Sequence, residues 1–500
     1  MDPTPSAPTP ARSSPLEHFR AQTPRLRLHP LENLLLWVVS AHLIFLPWAL
    51  GAMKFWAQAL SLLFALAGFF IALAPRNYTE QFTASGNFRL LTWPKLVRFP
   101  VFWAGLLVLI YIVVQGLNPA WAYVNDPRGW WMEPRPHVGW LPSGTEGPFF
   151  FGGGPWRTLI VYASAWLVVC SIWIGFTRRR TAQLFVTALA ANGFALAVFA
   201  LVQRLTTRTR MFWFWQPPND SFFGSFIYKN HAGAYFILML ALSTGLAAWY
   251  YLRGLRRMEK SNPAGLFVFF AAFIAIDIIV SYARGATITM LVFLTVALVV
   301  FLVFQLRNPE LLRKPAVIAL LLIGFVFFFG TSYRALSAGQ AWDRMETLLS
   351  ARDTSIRSRQ LATAATWDMV KDYPWLGAGA GSFRYLFPFY QQRYPAIYTE
   401  NGTRLYWEHA HNDFVEIPAE LGLFGVAIIL FCGGYWLVKL VRAFFWDNPL
   451  SLLVCAGGLA LVAHSWTDFL FQNPAVLLTW CAFWPAIVLW TEYEELNLRG

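Results

Sequence analysis

Apolar stretches long enough to cross a membrane recur along the whole chain, with short polar connections between them. A transmembrane helix needs about 20 mainly apolar residues to cross ~30 Å of hydrocarbon. The pattern predicts twelve such helices, at residues 33–52, 54–74, 100–117, 157–176, 182–203, 231–252, 264–281, 286–306, 315–331, 413–438, 449–470 and 474–491. We therefore expect an all-α integral membrane protein.

The connections between these spans divide into two kinds by charge. Basic clusters precede the first span and follow the even-numbered ones, as at residues 178–180 and 253–260. With twelve spans they all fall on one side, which the positive-inside bias assigns to the cytoplasm, so both termini are predicted to be cytoplasmic. Residues 1–32 are rich in Pro and Ser and are expected to be disordered, and residues 492–500 form a tail.

The long connections lie on the other side. Residues 118–156 are rich in Trp, Pro and Gly, residues 204–230 form a shorter loop, and residues 332–412 form the longest. Within the last, "SRQLATAATWDMVKDYPWLGAG" predicts an amphipathic helix that ends at Pro374. We predict that residues 332–412 fold as a cap over the membrane surface. The chain has no phosphate-binding loop of the GxxxxGK type, so any chemistry is expected on the outer side without ATP.

The composition supports the membrane prediction and argues against several other classes. Apolar residues make up 57% of the chain, charged residues 13%, and the mean hydropathy is +0.46. The net charge of +13 comes largely from the basic clusters between spans, so no nucleic-acid partner is predicted. The four cysteines lie in apolar segments, which favours free buried thiols over a disulfide framework or a zinc site.

The segment "HAHNDFVEIPAELGLFG" combines polar chemistry with the start of an apolar span. Asn412 or Asp413 is a candidate helix N-cap, and Pro418 is expected to kink the helix. Charged groups such as Glu416 are costly in a membrane and are usually functional, although capping and snorkelling would also explain them. His409 and His411 could hold a metal on a strand, but residues two apart diverge on a helix, so neither metal nor cofactor is predicted.

Three further polar groups are predicted on the outer side. Arg284 lies in "SYARGA", a tight turn between spans, where either a bound phosphate or an ion pair with Asp277 would explain it. His231 begins the sixth predicted span, and Asp468 lies near the end of the eleventh. The tryptophans of residues 118–156 are suited to stacking on sugar rings, but an interfacial aromatic belt explains them equally well.

These motifs resemble the O-antigen ligase and polymerase superfamily of bacterial envelope glycan assembly. "HNDFVEIPAELGLFG" is similar to its His-Asn pattern followed by two glycines, and "SYARGA" resembles its Ser-x-x-Arg-Gly turn. "RSRQLATAATWDMVKDYPWLGAGAGSF" and "HSWTDFLFQNPA" resemble its loop helix and penultimate span. The resemblance covers roughly residues 220–490, and the Trp-rich loop departs from it.

The resemblance implies a membrane-embedded glycosyltransferase of the C type in the bacterial inner membrane. Its donor would be a glycan on undecaprenyl pyrophosphate, and its acceptor a hydroxyl of lipid A-core or of another glycan. His411 suits a general base, and Arg284 suits stabilisation of the leaving pyrophosphate. Arg357 and Arg359 are further candidates for that second role. His231, Asn412, Asp468 and Glu416 are predicted to line the substrate site, with Asp468 or Glu416 orienting the imidazole.

Other functions remain compatible with this pattern. Within the same chemistry, the chain could be a polymerase of O-antigen or exopolysaccharide, or a ligase acting on protein hydroxyls. From a different class, it could be a flippase or another transporter of lipid-linked glycans. A transporter is expected to show internal repeats and mid-membrane polar residues in several spans. Here the polar residues lie mainly near one membrane face, which favours the transferase.

Overall fold

A computed structural model describes residues 27–82, 87–150, 152–218, 221–258, 261–307, 354–397 and 406–499 of the chain. Helices predominate in this part, and the strands are few and short. Nine of its helices are long and apolar enough to cross a membrane, and two shorter apolar helices accompany them. The predicted class, an all-α integral membrane protein, is confirmed.

The eleven apolar helices of the described residues each coincide with a predicted span. They are α1 (Pro30–Trp48), α2 (Phe55–Leu73), α4 (Pro100–Leu117), α5 (Pro155–Gly175), α6 (Arg179–Thr206), α7 (Lys229–Arg256), α8 (Ala264–Val280), α9 (Arg284–Leu306), α12 (Asp413–Arg442), α13 (Pro449–His464) and α14 (Pro474–Arg499). Three further helices lie in connections: α3 (Trp93–Val97), α10 (Thr354–Asp372) and α11 (Phe383–Gln391). The span predicted at residues 315–331 lies outside the described residues.

The first helix begins earlier than its apolar stretch indicates. His29 caps it, because its Nδ1 accepts a hydrogen bond of 3.2 Å from the backbone N–H of Leu31. Pro30 occupies the first helical turn, where a missing N–H costs nothing. Residues 30–32, predicted to be disordered, are therefore helical, while residues 1–26 of that segment lie outside the described part.

Two small sheets were not predicted. β1 (Arg76–Tyr78) pairs antiparallel with β2 (Phe88–Leu90). In the Trp-rich loop, β3 (Pro119–Asp126) lies between β4 (Gly129–Pro134) and β5 (Gly144–Thr145). The turn between β3 and β4 is held by Asp126, whose carboxylate accepts a hydrogen bond of 2.8 Å from the N–H of Arg128. The loop at residues 118–156 therefore contains a sheet.

The hydrophobic core has two parts. In the bundle, α7 is the most buried of the long helices, and it packs against α6, α8, α9 and α13. A second core is formed by α10, α11 and the start of α12, with Met369, Phe383 and Phe387 at its centre. We call this second unit, residues 354–397 and 406–412, the cap.

Helix α12 is broken at Gly422, which has φ +64° and ψ −177°. The turn segment 374–379 packs into the break: Ala378 N–H donates to the carbonyl of Ala419, and Leu423 N–H donates to that of Pro374, both at 2.8 Å. A Cβ on Gly422 would lie 2.3 Å from the carbonyl oxygen of Trp375, so only glycine fits. The kink predicted at Pro418 therefore occurs four residues later.

The connections at one end of the bundle come together, and we call this end the site face. The cap contacts the Trp-rich loop, because Thr145 Oγ1 donates to Ser382 Oγ at 3.0 Å. The cap also contacts the loop between α13 and α14 (residues 465–473), since Arg359 Nη1 donates to the carbonyl of Thr467 at 3.0 Å. The residues of interest gather between these segments.

Candidate active site

His411 lies two residues before α12 begins, and its backbone adopts an uncommon conformation. Its φ is +54°, which a non-glycine residue adopts only when its surroundings enforce it. The next residue, Asn412, caps α12 by accepting a hydrogen bond of 3.0 Å from Phe414 N–H. Asp413 N–H donates to the carbonyl of Ser465 at 3.0 Å. These bonds fix His411 relative to the loop between α13 and α14.

Asp468 in that loop is the carboxylate that contacts His411. The distance from His411 Nδ1 to Asp468 Oδ1 is 3.3 Å. The Asp468 side chain is 1% exposed, whereas that of His411 is 23% exposed. A carboxylate only accepts hydrogen bonds when ionised, so Nδ1 carries the proton and Nε2 is left unprotonated. Nε2 is the nitrogen that can accept a proton from a substrate.

Three other side chains converge on the second oxygen of Asp468. Asn230 Nδ2 donates to Oδ2, the hydroxyl of Tyr228 donates to it at 3.4 Å, and Arg359 Nη1 lies 3.6 Å away. Burial on its own raises the pKa of Asp468. The hydrogen bond from His411 and the charge of Arg359 outweigh burial, and they hold that pKa below its usual value. Asp468 therefore stays ionised.

The ring of Phe469 contacts several aromatic side chains of the site. It stacks on Tyr228 at 5.3 Å and on His409 at 4.5 Å, and His411 meets it edge-on at 4.7 Å. His231 lies behind the ring and is 2% exposed. Its Nε2 lies 3.1 Å from the carbonyl oxygen of Phe469. His231, predicted to line the substrate site, thus supports the loop that carries Asp468.

Arg284 begins α9 beside this loop. A Cβ on the next residue, Gly285, would lie 2.3 Å from Nε2 of His464, so the turn packs directly against the end of α13. A Cβ on Gly233 would lie 2.4 Å from that of Ala286, which brings the start of α7 to the same place. Both carboxylate oxygens of Asp277 lack a hydrogen-bonding partner in the described part of the chain. A hydrogen-bonded ion pair between Arg284 and Asp277 is therefore not formed.

Glu416 has a different partner from the one proposed for it. Its Oε1 lies 2.6 Å from Nδ1 of His409, and its Oε2 accepts a hydrogen bond of 2.6 Å from Ala410 N–H. Both oxygens of Glu416 are therefore occupied by His409 and Ala410, and its side chain is fully buried. Contact between Glu416 and a substrate stays a prediction.

The last two predicted site residues are Asn412 and Arg357. Asn412 is 2% exposed and acts as the helix cap, so substrate contact by its amide stays a prediction. Arg357 is exposed on α10, two residues from Arg359. Since residues two apart on a helix do not share a face, Arg357 and Arg359 lie on different faces of α10.

Three residues of the site were not predicted. Tyr228 and Asn230 contact Asp468 across more than two hundred residues of sequence. Arg384 on α11 lies with Nη2 3.5 Å from Nε2 of His409. Burial, followed by the charge of Arg384, keeps the pKa of His409 well below its usual value, so this imidazole is neutral. The motif "YKNH", which caps and begins α7, is the local signal for the first two.

The arrangement combines a base with positive charge. His411 offers an unprotonated nitrogen, Asp468 would stabilise the imidazolium that forms, and Arg359 lies on the far side of Asp468 with 31% of its side chain exposed. Arg284 lies at the N-terminal end of α9, where the helix dipole adds positive potential. Such a site can deprotonate a hydroxyl and hold a phosphate-bearing leaving group.

Comparison with known protein families identifies one match. Residues 266–430 match the model of the O-antigen ligase family. No curated protein matches the chain. The matched segment contains Arg284, Arg359 and His411, whereas Tyr228 and Asp468 lie outside it. The predicted resemblance to the O-antigen ligase superfamily is confirmed for this segment.

Proposed function

We propose, from the O-antigen ligase domain at residues 266–430, that the protein is a membrane-embedded glycosyltransferase of the ligase type. It would transfer a glycan from undecaprenyl pyrophosphate to a hydroxyl of lipid A-core. The reaction would take place at the site face, on the periplasmic side of the inner membrane. The basic clusters at the other end of the bundle support a cytoplasmic assignment for that end and for both termini.

The observation that carries this proposal is the bond between His411 and Asp468. The 3.3 Å contact at Nδ1 leaves Nε2 to remove the proton of the acceptor hydroxyl. The hydroxyl oxygen then attacks the anomeric carbon, and the bond from that carbon to the pyrophosphate oxygen breaks. A single displacement of this kind inverts the anomeric centre. The proton remains on His411, where ionised Asp468 stabilises it.

The leaving pyrophosphate requires positive charge, which arginines supply. Arg359 is partly exposed, and its guanidinium is positioned by the carbonyl of Thr467 and the hydroxyl of Tyr228. A guanidinium can bind phosphate oxygens through two parallel N–H groups. Arg284 would contribute from the N-terminal end of α9. Since the donor is already activated, the proposed reaction requires neither a nucleotide nor a metal ion.

The test uses purified protein in lipid with EDTA, supplied with undecaprenyl-pyrophosphate-linked glycan, with and without lipid A-core. The His411→Ala variant runs in parallel, and His137→Ala serves as a matched control because His137 is an exposed histidine of the Trp-rich loop. We expect transfer only with lipid A-core present, with loss of transfer in His411→Ala and no loss in His137→Ala.

Other results would replace the proposal. Chain lengthening of the donor glycan without lipid A-core would identify a polymerase, and transfer to an added protein acceptor would identify a protein O-oligosaccharyltransferase. Transfer that requires a divalent metal would overturn the metal-independent mechanism. No transfer across a panel of donors and acceptors would overturn the enzyme function, and a flippase of lipid-linked glycans would then be tested by donor translocation.

A further inference from the structure

A cleft of about 320 Å³ lies at the site face, apart from His411 and Asp468. Its lining comes from the end of α4, the sheet of the Trp-rich loop and the first turn of α5. Among the lining residues are Tyr123, Glu146, Trp156 and Arg157, together with Gly153 and Gly154. The volume falls in the range of small-molecule sites in proteins.

Aromatic rings line this cleft. Tyr123 stacks on Trp130 with ring centres 5.8 Å apart, and Tyr385 of the cap meets both rings edge-on at 5.9 Å. Trp156 packs against Gly116 and keeps 40% of its surface exposed. The electron-rich face of an aromatic ring attracts the weakly positive C–H groups on the face of a sugar. Tyr123 and Trp156 therefore suit a saccharide.

The cleft also has an excess of positive charge. The guanidinium of Arg157 donates to Gln58 Oε1 at 2.7 Å and to the carbonyls of Phe149 and Phe150 at 3.1 Å, all neutral acceptors. Within the described residues no carboxylate forms an ion pair with Arg157, although the side chain is 9% exposed. A buried cation without a counter-ion attracts an anionic ligand.

The acidic residue in the cleft does not compensate this charge. Glu146 is bound to Arg135, and both side chains are substantially exposed. Arg384 lies next to Gly153, because its Nε would be 3.2 Å from a Cβ on that residue. Arg384 has a distant carboxylate partner, since its Nη1 lies 4.0 Å from Oε1 of the exposed Glu408. The cleft thus has two guanidinium groups nearby, the buried Arg157 without a carboxylate partner among the described residues and Arg384 with this loose one.

Arg384 also connects the cleft with the proposed transfer site. Its Nη2 lies 3.5 Å from Nε2 of His409, and the His409 ring stacks on Phe469, which His411 meets edge-on. Side-chain contacts through His409 and Phe469 therefore join Arg384, at the edge of the cleft, to His411. The sheet that forms one wall lies outside the segment that matches the family model.

We propose that this cleft binds a saccharide that carries a negative charge, either a phosphate or a carboxylate, next to the transfer site. The rings of Tyr123 and Trp156 contact the sugar faces, and Arg157 and Arg384 provide the attraction for the anionic substituent. The assignment of that saccharide to the donor or the acceptor rests on the proposed function, whereas binding itself rests only on the cleft.

Binding is tested first on the full-length His411→Ala variant in lipid nanodiscs, so that no turnover occurs. The probes are a neutral hexose trisaccharide, the same trisaccharide with one phosphate monoester or one uronic acid, and inorganic phosphate alone. We expect at least tenfold tighter binding of the two anionic trisaccharides than of the neutral one, and weaker binding of phosphate alone. Equal binding of all trisaccharides, or no binding, would overturn the inference.

Three substitutions and one control variant then locate the binding. Trp156→Ala should weaken all three trisaccharides about tenfold or more, while Trp140→Ala, in the same loop but 79% exposed and outside the cleft, should not. Arg157→Gln should remove the preference for the anionic probes. Because Arg157 also holds backbone, Glu146→Gln provides an independent check: it should tighten the anionic probes severalfold without affecting the neutral one. An unchanged preference in Glu146→Gln would overturn the role of charge.

Kinetics distinguish the two sources of the saccharide. In the transfer assay, Glu146→Gln should lower KM for the acceptor if the acceptor glycan occupies the cleft, or KM for the donor if the donor glycan does, with kcat nearly unchanged. Transfer with both KM values unchanged would overturn the inference and leave the proposed function intact. Probe binding without any transfer would support the cleft and overturn the proposed function.

Discussion

Two buried carboxylates, Glu32 and Asp468, lie at opposite ends of the helix bundle and have similar surroundings. Both oxygens of Glu32 accept hydrogen bonds, from Thr177, Thr181 and Tyr78, and Arg76 Nη1 is 3.7 Å away. Both oxygens of Asp468 also accept hydrogen bonds, and Arg359 Nη1 is 3.6 Å away.

The two clusters differ in their access to solvent and in their donors. The side chains of Glu32 and Arg76 are fully buried, and the other donors are hydroxyl and backbone groups. Around Asp468, both His411 and Arg359 are partly exposed, and one donor is an imidazole. A closed cluster joins helices, whereas an open one that contains a titratable group can take part in chemistry. We therefore expect removal of the carboxylate charge to affect glycan transfer strongly in the Asp468 cluster and weakly in the Glu32 cluster.

The largest effect is expected from removing the charge of each carboxylate without changing its shape. Asp468→Asn would favour the wrong tautomer of His411 and would no longer stabilise an imidazolium, so glycan transfer should fall roughly 10³-fold or more. Glu32→Gln should change kcat by about twofold at most. The measurement is kcat for transfer in lipid nanodiscs. Similar losses of kcat in both variants would show that the two clusters do not differ in function.

The second prediction concerns stability. Glu32→Ala leaves Arg76 buried and unpaired, so we expect a loss of about 3–5 kcal/mol in the free energy of unfolding. The double variant Glu32→Leu/Arg76→Leu should lose less than the single one, because no charge is then left buried. Thermal unfolding in detergent, followed by tryptophan fluorescence, gives the order of the variants. A double variant less stable than Glu32→Ala would contradict the explanation.

A smaller effect is expected at the break in α12, where the cap packs against the helix that follows His411. Gly422→Ala would bring a Cβ to 2.3 Å from the carbonyl oxygen of Trp375 at a φ of +64°, at a cost of about 1–3 kcal/mol. Gly433→Ala in the same helix is the matched control, because a Cβ there meets nothing within 4 Å. Thermal unfolding should separate the two variants. Equal unfolding temperatures would show that the break at Gly422 tolerates a side chain.

The smallest effect is expected on the pH dependence of folding stability, through His409, which lies next to the Asp468 cluster. The pKa of His409 lies well below its usual value near 6.5, so the unfolded chain gains a proton there before the folded protein does. Stability should therefore fall as the pH drops below about 6.5, by at most about 1.4 kcal/mol per pH unit from this group.

His409→Asn keeps a donor to Glu416 but removes the titration. The difference in unfolding temperature between pH 7.5 and pH 5.5 should therefore be smaller in this variant than in the original protein. His137→Ala, with an exposed histidine changed instead, should behave like the original protein. Parallel pH curves for all three proteins would exclude His409 as a source of the dependence.

The sequence predicted the helices well, because membrane burial leaves a continuous apolar run that depends on no distant residue. His411, Arg359 and Asp468 could be proposed as site residues because each stands in a recognisable local motif. Tyr228 and Asn230 were missed since their contacts with Asp468 depend on how α7 and α13 pack, which no local pattern records. The contacts that distinguish Asp468, beside His411, from Glu416, beside His409, depend on the same tertiary packing.

The errors in local structure have physical causes as well. The strands β3 and β4 were not predicted, because their segment is rich in Trp, Pro and Gly, which also suit an irregular loop. The kink was placed at Pro418 because proline lacks an N–H, but the chain breaks at Gly422, where the segment 374–379 approaches too closely for any side chain. The local sign of the break is Gly422 itself, but a glycine also occurs in the unbroken part of the same helix, as at Gly433.

The break in α12 has a consequence for how the protein is made. Residues 374–379 form backbone hydrogen bonds with residues 419–424, yet they are synthesised earlier. Until α12 has been released by the ribosome and inserted, those backbone groups have only water as a partner. The cap therefore reaches its final form after the following span enters the bilayer, so that membrane insertion completes the folding of a water-exposed unit that precedes it in the chain.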